Sequence, residues 1–146
     1  MKFAFSGPRS LTRRQERRIY RQVNLKKLQG EWHIGDAEGV DSFMRRAANY
    51  YQMAATIHRV DGGEKWQFAQ RSKRMVDAIA PGGILVAFPD KSCPSDCVPS
   101  DPFSGHGSGT WGTIAYAKSK LFQIEIYPLR SIDIPDWFFE TQLSLF

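Results

Sequence analysis

The sequence predicts an α/β fold, a three-layer sandwich whose helices cover both faces of a mainly parallel, five-stranded sheet. Three observations lead there. A strand-like run followed by a helical pattern occurs four times in succession, and a last strand comes after them. Gly83-Ile84-Leu85-Val86-Ala87-Phe88 is a short apolar run, rich in branched and aromatic residues, that suits a buried strand. Val40, Phe43, Met44, Ala47, Ala48 and Tyr51 fall at i, i+3, i+4, i+7, i+8 and i+11, so one face of that helix must lie on a sheet.

Lys2-Phe3-Ala4-Phe5-Ser6 is the first strand and ends in a turn by composition, Ser6-Gly7-Pro8-Arg9-Ser10. Thr12, with Gln15 three residues on, is a capping box that starts a helix with Ile19, Tyr20 and Val23 on its apolar stripe. Arg13, Arg14, Arg17, Arg18, Arg21, Lys26 and Lys27 crowd the rest of it against Glu16, as a solvated face or as a contact surface for a polyanion. Gly30 is expected to close this helix before the short strand Glu31-Trp32-His33-Ile34, where His33 reads as a packed or edge histidine. Gly35 to Asp41 is a second glycine-rich turn, and Asp41 suits the first turn of the striped helix as a partner for its dipole. Ala54 to Arg59 is the third strand, and Asp61-Gly62-Gly63 is a turn. A helix over about 64–79 is expected to bury Phe68, Met75, Val76 and Ile79, with Arg71 projecting near that stripe to snorkel or to reach an anion at the sheet's edge. The fourth strand, Gly83 to Phe88, leads into a long proline-rich stretch over about 90–104 that reads as a lid, a binding loop or a disordered insertion. Thr110 to Lys118 is a helix and Gln123 to Tyr127 the fifth strand. The tail over about 131–146 carries Ile132, Ile134, Trp137, Phe138, Phe139, Leu143, Leu145 and Phe146 and is expected to pack on the body or on another subunit.

At 146 residues the chain is long enough for one domain over 1–146 with a sizeable core. The formal net charge of +5 favours anionic ligands, from nucleotides to nucleic acid. No apolar run reaches the length of about 18 residues that a membrane span needs, so no membrane partner is expected. Met1-Lys2-Phe3-Ala4-Phe5 goes straight into a strand and turn, too short for a signal peptide's apolar region, which reads as cytoplasmic. Cys93 and Cys97 share one loop; they read as ordinary thiols in preference to a bridge or, with His106, part of a metal site. No metal and no resident cofactor are expected.

Right-handed crossovers make such a sheet doubly wound and Rossmann-like, and its ligands bind at the carboxyl ends of the strands where the winding reverses. With strand order 3-2-1-4-5 that crevice lies between strands one and four. The loop Ser6 to Ser10, the segment Gly105-His106-Gly107-Ser108-Gly109-Thr110 and the neighbouring loop Gly35 to Asp41 then converge there with Arg9 and Arg71. Alternate glycines before a helix let a ligand approach the backbone and the helix N-terminus, which makes a phosphate cradle, although a loop of small residues has the same composition. The dinucleotide fingerprint G-x-G-x-x-G is absent after strand one, which disfavours an ordinary NAD dehydrogenase.

Several strings resemble the SLOG superfamily in the right order. Gly7-Pro8-Arg9 is similar to its Gly-Ser-Arg turn, and Gly35-Asp36-Ala37-Glu38-Gly39-Val40-Asp41 to its Gly-Gly-Ala-Arg-Gly-Ala-Asp segment. Arg71-Ser72-Lys73-Arg74-Met75 resembles its Arg-x-x-x-Met, and Ala87-Phe88-Pro89 with Gly109-Thr110 its Phe-Pro-Gly-Gly-x-Gly-Thr loop, opened by an insertion. The superfamily includes the lonely-guy phosphoribohydrolases, the DNA-processing protein A family and small YspA-like proteins, the last being most similar in size and motif. The resemblance implies a nucleotide or nucleotide-derived ligand lined by Gly7, Arg9, Gly39, Arg71, Gly109 and Thr110, with Asp41 orienting the second loop or touching a sugar hydroxyl. Ser6, Gly35 and Gly107 complete the expected site. The catalytic glutamate of lonely-guy enzymes falls on Thr113, and Pro8 removes one N–H donor from the first loop.

Three functions fit these features. The first is binding or sensing of a nucleotide-like small molecule. The second is hydrolysis of a nucleotide's N-glycosidic or phosphate bond, using Asp41, Glu38 or one of Asp90, Asp96 and Asp101, with the catalytic residue itself unassigned. The third is single-strand nucleic-acid binding through the basic helix over 13–27. The apolar tail and the family imply a homodimer or larger assembly.

Overall fold

The computed structural model describes residues 1–104 and 109–140. The chain runs β1 (Lys2–Ser6), α1 (Arg13–Gln22), a single 3-10 turn (Leu25–Lys27), β2 (Glu31–Gly35), α2 (Val40–Tyr51), β3 (Ala54–His58), α3 (Lys65–Asp77), β4 (Ile84–Ala87), α4 (Gly109–Ser119), β5 (Gln123–Ile126) and α5 (Asp136–Phe139). The five strands form one sheet in the order β3-β2-β1-β4-β5, and every neighbouring pair is parallel. This is the Rossmann-like α/β sandwich.

Alternation along the central strands divides the core in two. Phe3, Phe5, Trp32, Ile34, Ile84 and Val86 face the layer made by α1 and α2, where they meet Ile19, Val23, Val40, Phe43 and Met44. Ala4, Leu85 and Ala87 face the other layer and meet Met75, Val76 and Ile79 of the α3 region and Trp111 and Ile114 of α4. β4 is buried at all four residues because both of its faces are covered. β3 is an edge strand and is exposed along most of its length.

Several boundaries differ from the sequence reading. The first helix stops at Gln22, not at Gly30. Val23 caps it in an extended conformation, so Val23 and Leu25 both turn into the core and a 3-10 turn intervenes before β2. The basic helix is therefore 13–22. β3 and β4 each end one residue sooner than expected, although Phe88 N–H still donates to Ser6 C=O at 2.8 Å. Phe68, expected in the core, is only half-buried and serves as a platform for the Arg9 guanidinium, 4.3 Å above its ring.

The stretch over 90–104 is a packed wall, not a disordered insertion. Trp111 Nε1 donates to Lys91 C=O at 2.7 Å, Asp133 N–H donates to Ser92 Oγ at 3.0 Å, and Val98 pairs with Asp101. Cys93 and Cys97 are free thiols. Burial first, and then Cys93, pushes the Cys97 thiol up to about 12, so it stays protonated near neutrality. Of the tail, Ile132, Ile134, Trp137 and Phe138 pack on the α3–α4 core, whereas Phe139 is exposed and Leu143, Leu145 and Phe146 lie outside the described residues. No helix among the described residues is long and apolar enough to cross a membrane.

Trp32 is the largest fully buried side chain, in edge contact with Phe5 at 4.9 Å and donating Nε1–H to Leu28 C=O at 2.8 Å. Urea unfolding is expected to show that Trp32→Ala costs about 3–5 kcal/mol. Trp32→Phe should cost roughly 1–3 kcal/mol, because it keeps the ring but leaves the Leu28 carbonyl unpaired.

Candidate functional site

A cleft of about 900 Å³ opens at the carboxyl ends of β1 and β4, the position where the winding of the sheet reverses. The loop after β1 contributes Gly7, Pro8 and Arg9, and α2 contributes Asp41 from its first turn. Along α3 come Lys65, Trp66, Phe68, Arg71 and Lys73. The 90–104 wall adds Asp90, Lys91 and Phe103, and the start of α4 adds Gly109, Thr110 and Thr113.

The floor of the cleft is an ion-pair cluster centred on Arg71, which is only 8% exposed. Its Nη1 lies 3.1 Å from Asp36 Oδ1 and 3.5 Å from Asp41 Oδ2. Each carboxylate is fastened to the backbone: Asp36 Oδ2 accepts from Val60 N–H at 3.1 Å, and Asp41 Oδ2 accepts from Ala37 N–H at 3.2 Å. Arg45 closes the same loop by donating to the carbonyls of Gly35 at 2.8 Å and Ala37 at 2.9 Å. The anion that Arg71 reaches is thus internal, and Asp41 does orient the second loop. Burial raises the Asp41 pKa, and Arg71 only partly offsets this. Arg71 Nε is buried without a hydrogen-bond partner among the described residues.

The structure brings Ser6, Gly7, Arg9, Asp41, Arg71, Gly109 and Thr110 to the one cleft. Gly35 and Gly39 stand behind it. A side chain at Gly35 would collide with the Arg71 guanidinium and the Asp41 carboxylate, so this glycine makes room for the ion pair. Gly39 has φ +69°, and any Cβ there would strike the backbone of Pro8 to Ser10, where Val40 N–H donates to Pro8 C=O at 3.0 Å. Gly39 therefore clips the first two loops together. Gly107 and His106 lie outside the described residues, and with them most of the expected glycine cradle. No metal-binding group of His, Cys, Asp and Glu occurs among the described residues.

Of the candidate carboxylates, Asp41 and Asp90 line the cleft, whereas Glu38, Asp96 and Asp101 do not. Thr113 is 1% exposed and its hydroxyl donates to Gly109 C=O at 2.8 Å, so it supplies no acid or base. The aromatic and cationic lining was not legible as a site in the sequence. Trp66 is 62% exposed at the rim, Phe68 carries Arg9, and Lys73 Nζ sits 5.7 Å from the Phe103 ring. Against five cations in the lining (Arg9, Lys65, Arg71, Lys73, Lys91) stand two carboxylates (Asp41, Asp90), one of them already in an ion pair with Arg71.

Beside the cluster lies a second buried polar pair that sequence spacing does not reveal. His33 Nδ1 and His58 Nε2 are 2.8 Å apart. Arg74 Nε donates to His58 Nδ1 at 3.4 Å, so His58 carries its proton on Nε2 and donates it to His33. His33 Nε2 then faces Glu31 Oε1 at 2.8 Å, in range for Coulomb attraction but not aligned as a hydrogen bond. His33 is a packed histidine, as its place in a strand suggested. Comparison with protein-family models, curated proteins and solved structures finds no match for this chain.

Burial, His33, Arg74 and Arg71 together lower the His58 pKa to about 4, below the usual 6.5. The unfolded chain therefore takes up this proton first, so the stability held by neutral His58 is complete above about pH 6.5 and is lost as the pH falls towards 4. Chemical denaturation across that window is expected to show a loss on the order of 2 kcal/mol that His58→Gln largely removes.

Proposed function

We propose that this protein binds a nucleotide or nucleotide-derived phosphate-sugar ligand in the cleft at the carboxyl end of β1 and β4. One observation carries this reading: the buried Arg71 lines the cleft with an unpartnered Nε, beneath a rim in which cations and aromatic faces alternate. Phosphate is the anion that a guanidinium and ammonium groups recognise together, and an exposed ring such as Trp66 suits stacking of a base. The cleft volume suits a ligand of nucleotide size. The loop motifs similar to those of the SLOG superfamily, and the small YspA-like proteins in particular, support the same reading.

Hydrolysis of the bound nucleotide at its N-glycosidic or phosphate bond is a second reading. Asp41 favours it: burial in the cleft raises its pKa, the tuning that a general acid requires. Release of free base or phosphate that is lost in Asp41→Asn, with ligand binding retained, would establish turnover; no release across a nucleotide panel would leave binding alone.

The direct test is a thermal-shift panel of adenine and guanine nucleotides, NAD, ADP-ribose and phosphosugars, with mass spectrometry of what co-purifies. A true ligand at 100 times its Kd should stabilise the fold by about 2.7 kcal/mol. Trp66→Ala, at an exposed position, should weaken that ligand about tenfold without changing the melting temperature of the free protein. A panel in which nothing shifts the melting temperature overturns the reading.

A further inference from the structure

A groove of about 490 Å³ runs between α1 and the segment after β5. Among the described residues its lining shares none with the cleft, so a ligand here is independent of any nucleotide bound there. Arg14, Arg18 and Arg21 line one wall and Arg130 the other, and no carboxylate is among the lining residues. At i, i+4 and i+7 the three helical arginines fall on one face of α1, separated by about 6 and 4.5 Å of axial rise. Arg17 and Arg13 extend the same arc of the helix.

This arrangement works against the fold. Arg13–Arg17, Arg14–Arg18 and Arg17–Arg21 are like-charge pairs at i, i+4, each repulsive at that spacing. None of these arginines, nor Arg130, is in an ion pair among the described residues. The one acid on α1, Glu16, is drawn 2.8 Å away to Arg46. Arg18 is held instead by its Nε, which donates to Pro128 C=O at 3.0 Å. That bond fixes the guanidinium in the groove and leaves its two terminal nitrogens without a hydrogen-bond partner among the described residues.

We propose that the groove is a second anion site, and that its ligand is the phosphodiester backbone of a nucleic-acid strand. The charges are strung along an axis and do not converge on a point, which fits a linear polyanion better than a single phosphate. Successive arginines are spaced on the order of successive phosphates along one strand. Planar guanidinium forks match phosphate oxygens two at a time. No aromatic ring lines the groove, and its one apolar residue, Leu129, is buried, so it offers neither a stacking platform for bases nor an anchor pocket for a peptide. Recognition is therefore of the backbone and independent of sequence.

The test is fluorescence anisotropy with a labelled, mixed-sequence single-stranded 20-mer, titrated from 50 to 200 mM salt, with polyglutamate of equal charge as competitor. Neutralising four phosphates predicts a log–log salt slope of about −3. Arg14→Glu/Arg21→Glu should weaken binding at least tenfold and flatten the slope. Both positions are exposed and leave the Thr12–Gln15 capping box untouched, and Arg130→Glu, in a loop, reads the same groove should the double variant fail to fold. Trp66→Ala, in the cleft, should leave this binding unchanged. Absence of binding at 50 mM salt, binding indifferent to the arginine reversals, or polyglutamate competing as well as the oligonucleotide overturns the proposal, the last in favour of an acidic protein.

Discussion

Arg71 is the hinge of the carboxyl end of the sheet. It reaches from α3 across to the loop after β2 and holds Asp36 and Asp41 together, and both carboxylates in turn hold backbone amides. Two carboxylates this close repel one another in a partly desolvated site, and the guanidinium between them makes the arrangement tolerable. The absence of a side chain at Gly35 is a consequence of the same cluster, since the guanidinium occupies the space a Cβ would need. Arg45 repeats the device on the backbone side, closing the carbonyls of Gly35 and Ala37. The loop is thus rigid before any ligand arrives, which lowers the ordering cost that binding would otherwise carry.

The two cation-rich concavities differ in kind. In the cleft the charges converge, are mixed with aromatic faces and include a buried guanidinium already paired with carboxylates. In the groove they are solvent-facing, strung in a row and opposed by nothing. The first geometry discriminates among small ligands by shape and hydrogen bonding. The second answers mainly to charge density and weakens with salt. A net charge of +5 describes neither, because it averages over where the charges sit.

Much of the fold was legible because its signals are local. The stripe from Val40 to Tyr51, the capping box at Thr12 and Gln15, and the apolar run of β4 each report a period or a pair within a few residues. The strand order 3-2-1-4-5 and the convergence of loops between β1 and β4 derived from those elements and from crossover handedness. What remained hidden depends on partners remote in sequence. Arg71 and Asp36 are 35 residues apart, and His33 and His58 are 25 apart, so no periodicity links them. Glu64 as an N-cap, with Gln67 completing its capping box, was missed because glutamate is not among the usual capping residues. Gly35 and Gly39 read as ligand-contacting glycines, yet each is explained by what packs behind the cleft. Phe68 fitted a helical stripe, but it lies towards the open end of the sheet, where no second layer covers it fully.

The first strand of the chain is also the middle strand of the sheet, and this has a consequence for synthesis. β1 can pair with β2, and β2 with β3, as soon as residue 58 has emerged, with α1 and α2 already covering one face. The other edge of β1 waits for residues 84–87. Over that interval the nascent chain carries an apolar strand with an unpaired edge, and a bare opposite face until α3 and α4 arrive. Closure of the sheet is therefore a late, long-range event, and the span of chain between β3 and β4 sets how long the half-built sheet stays open to chaperones or to a second copy of itself.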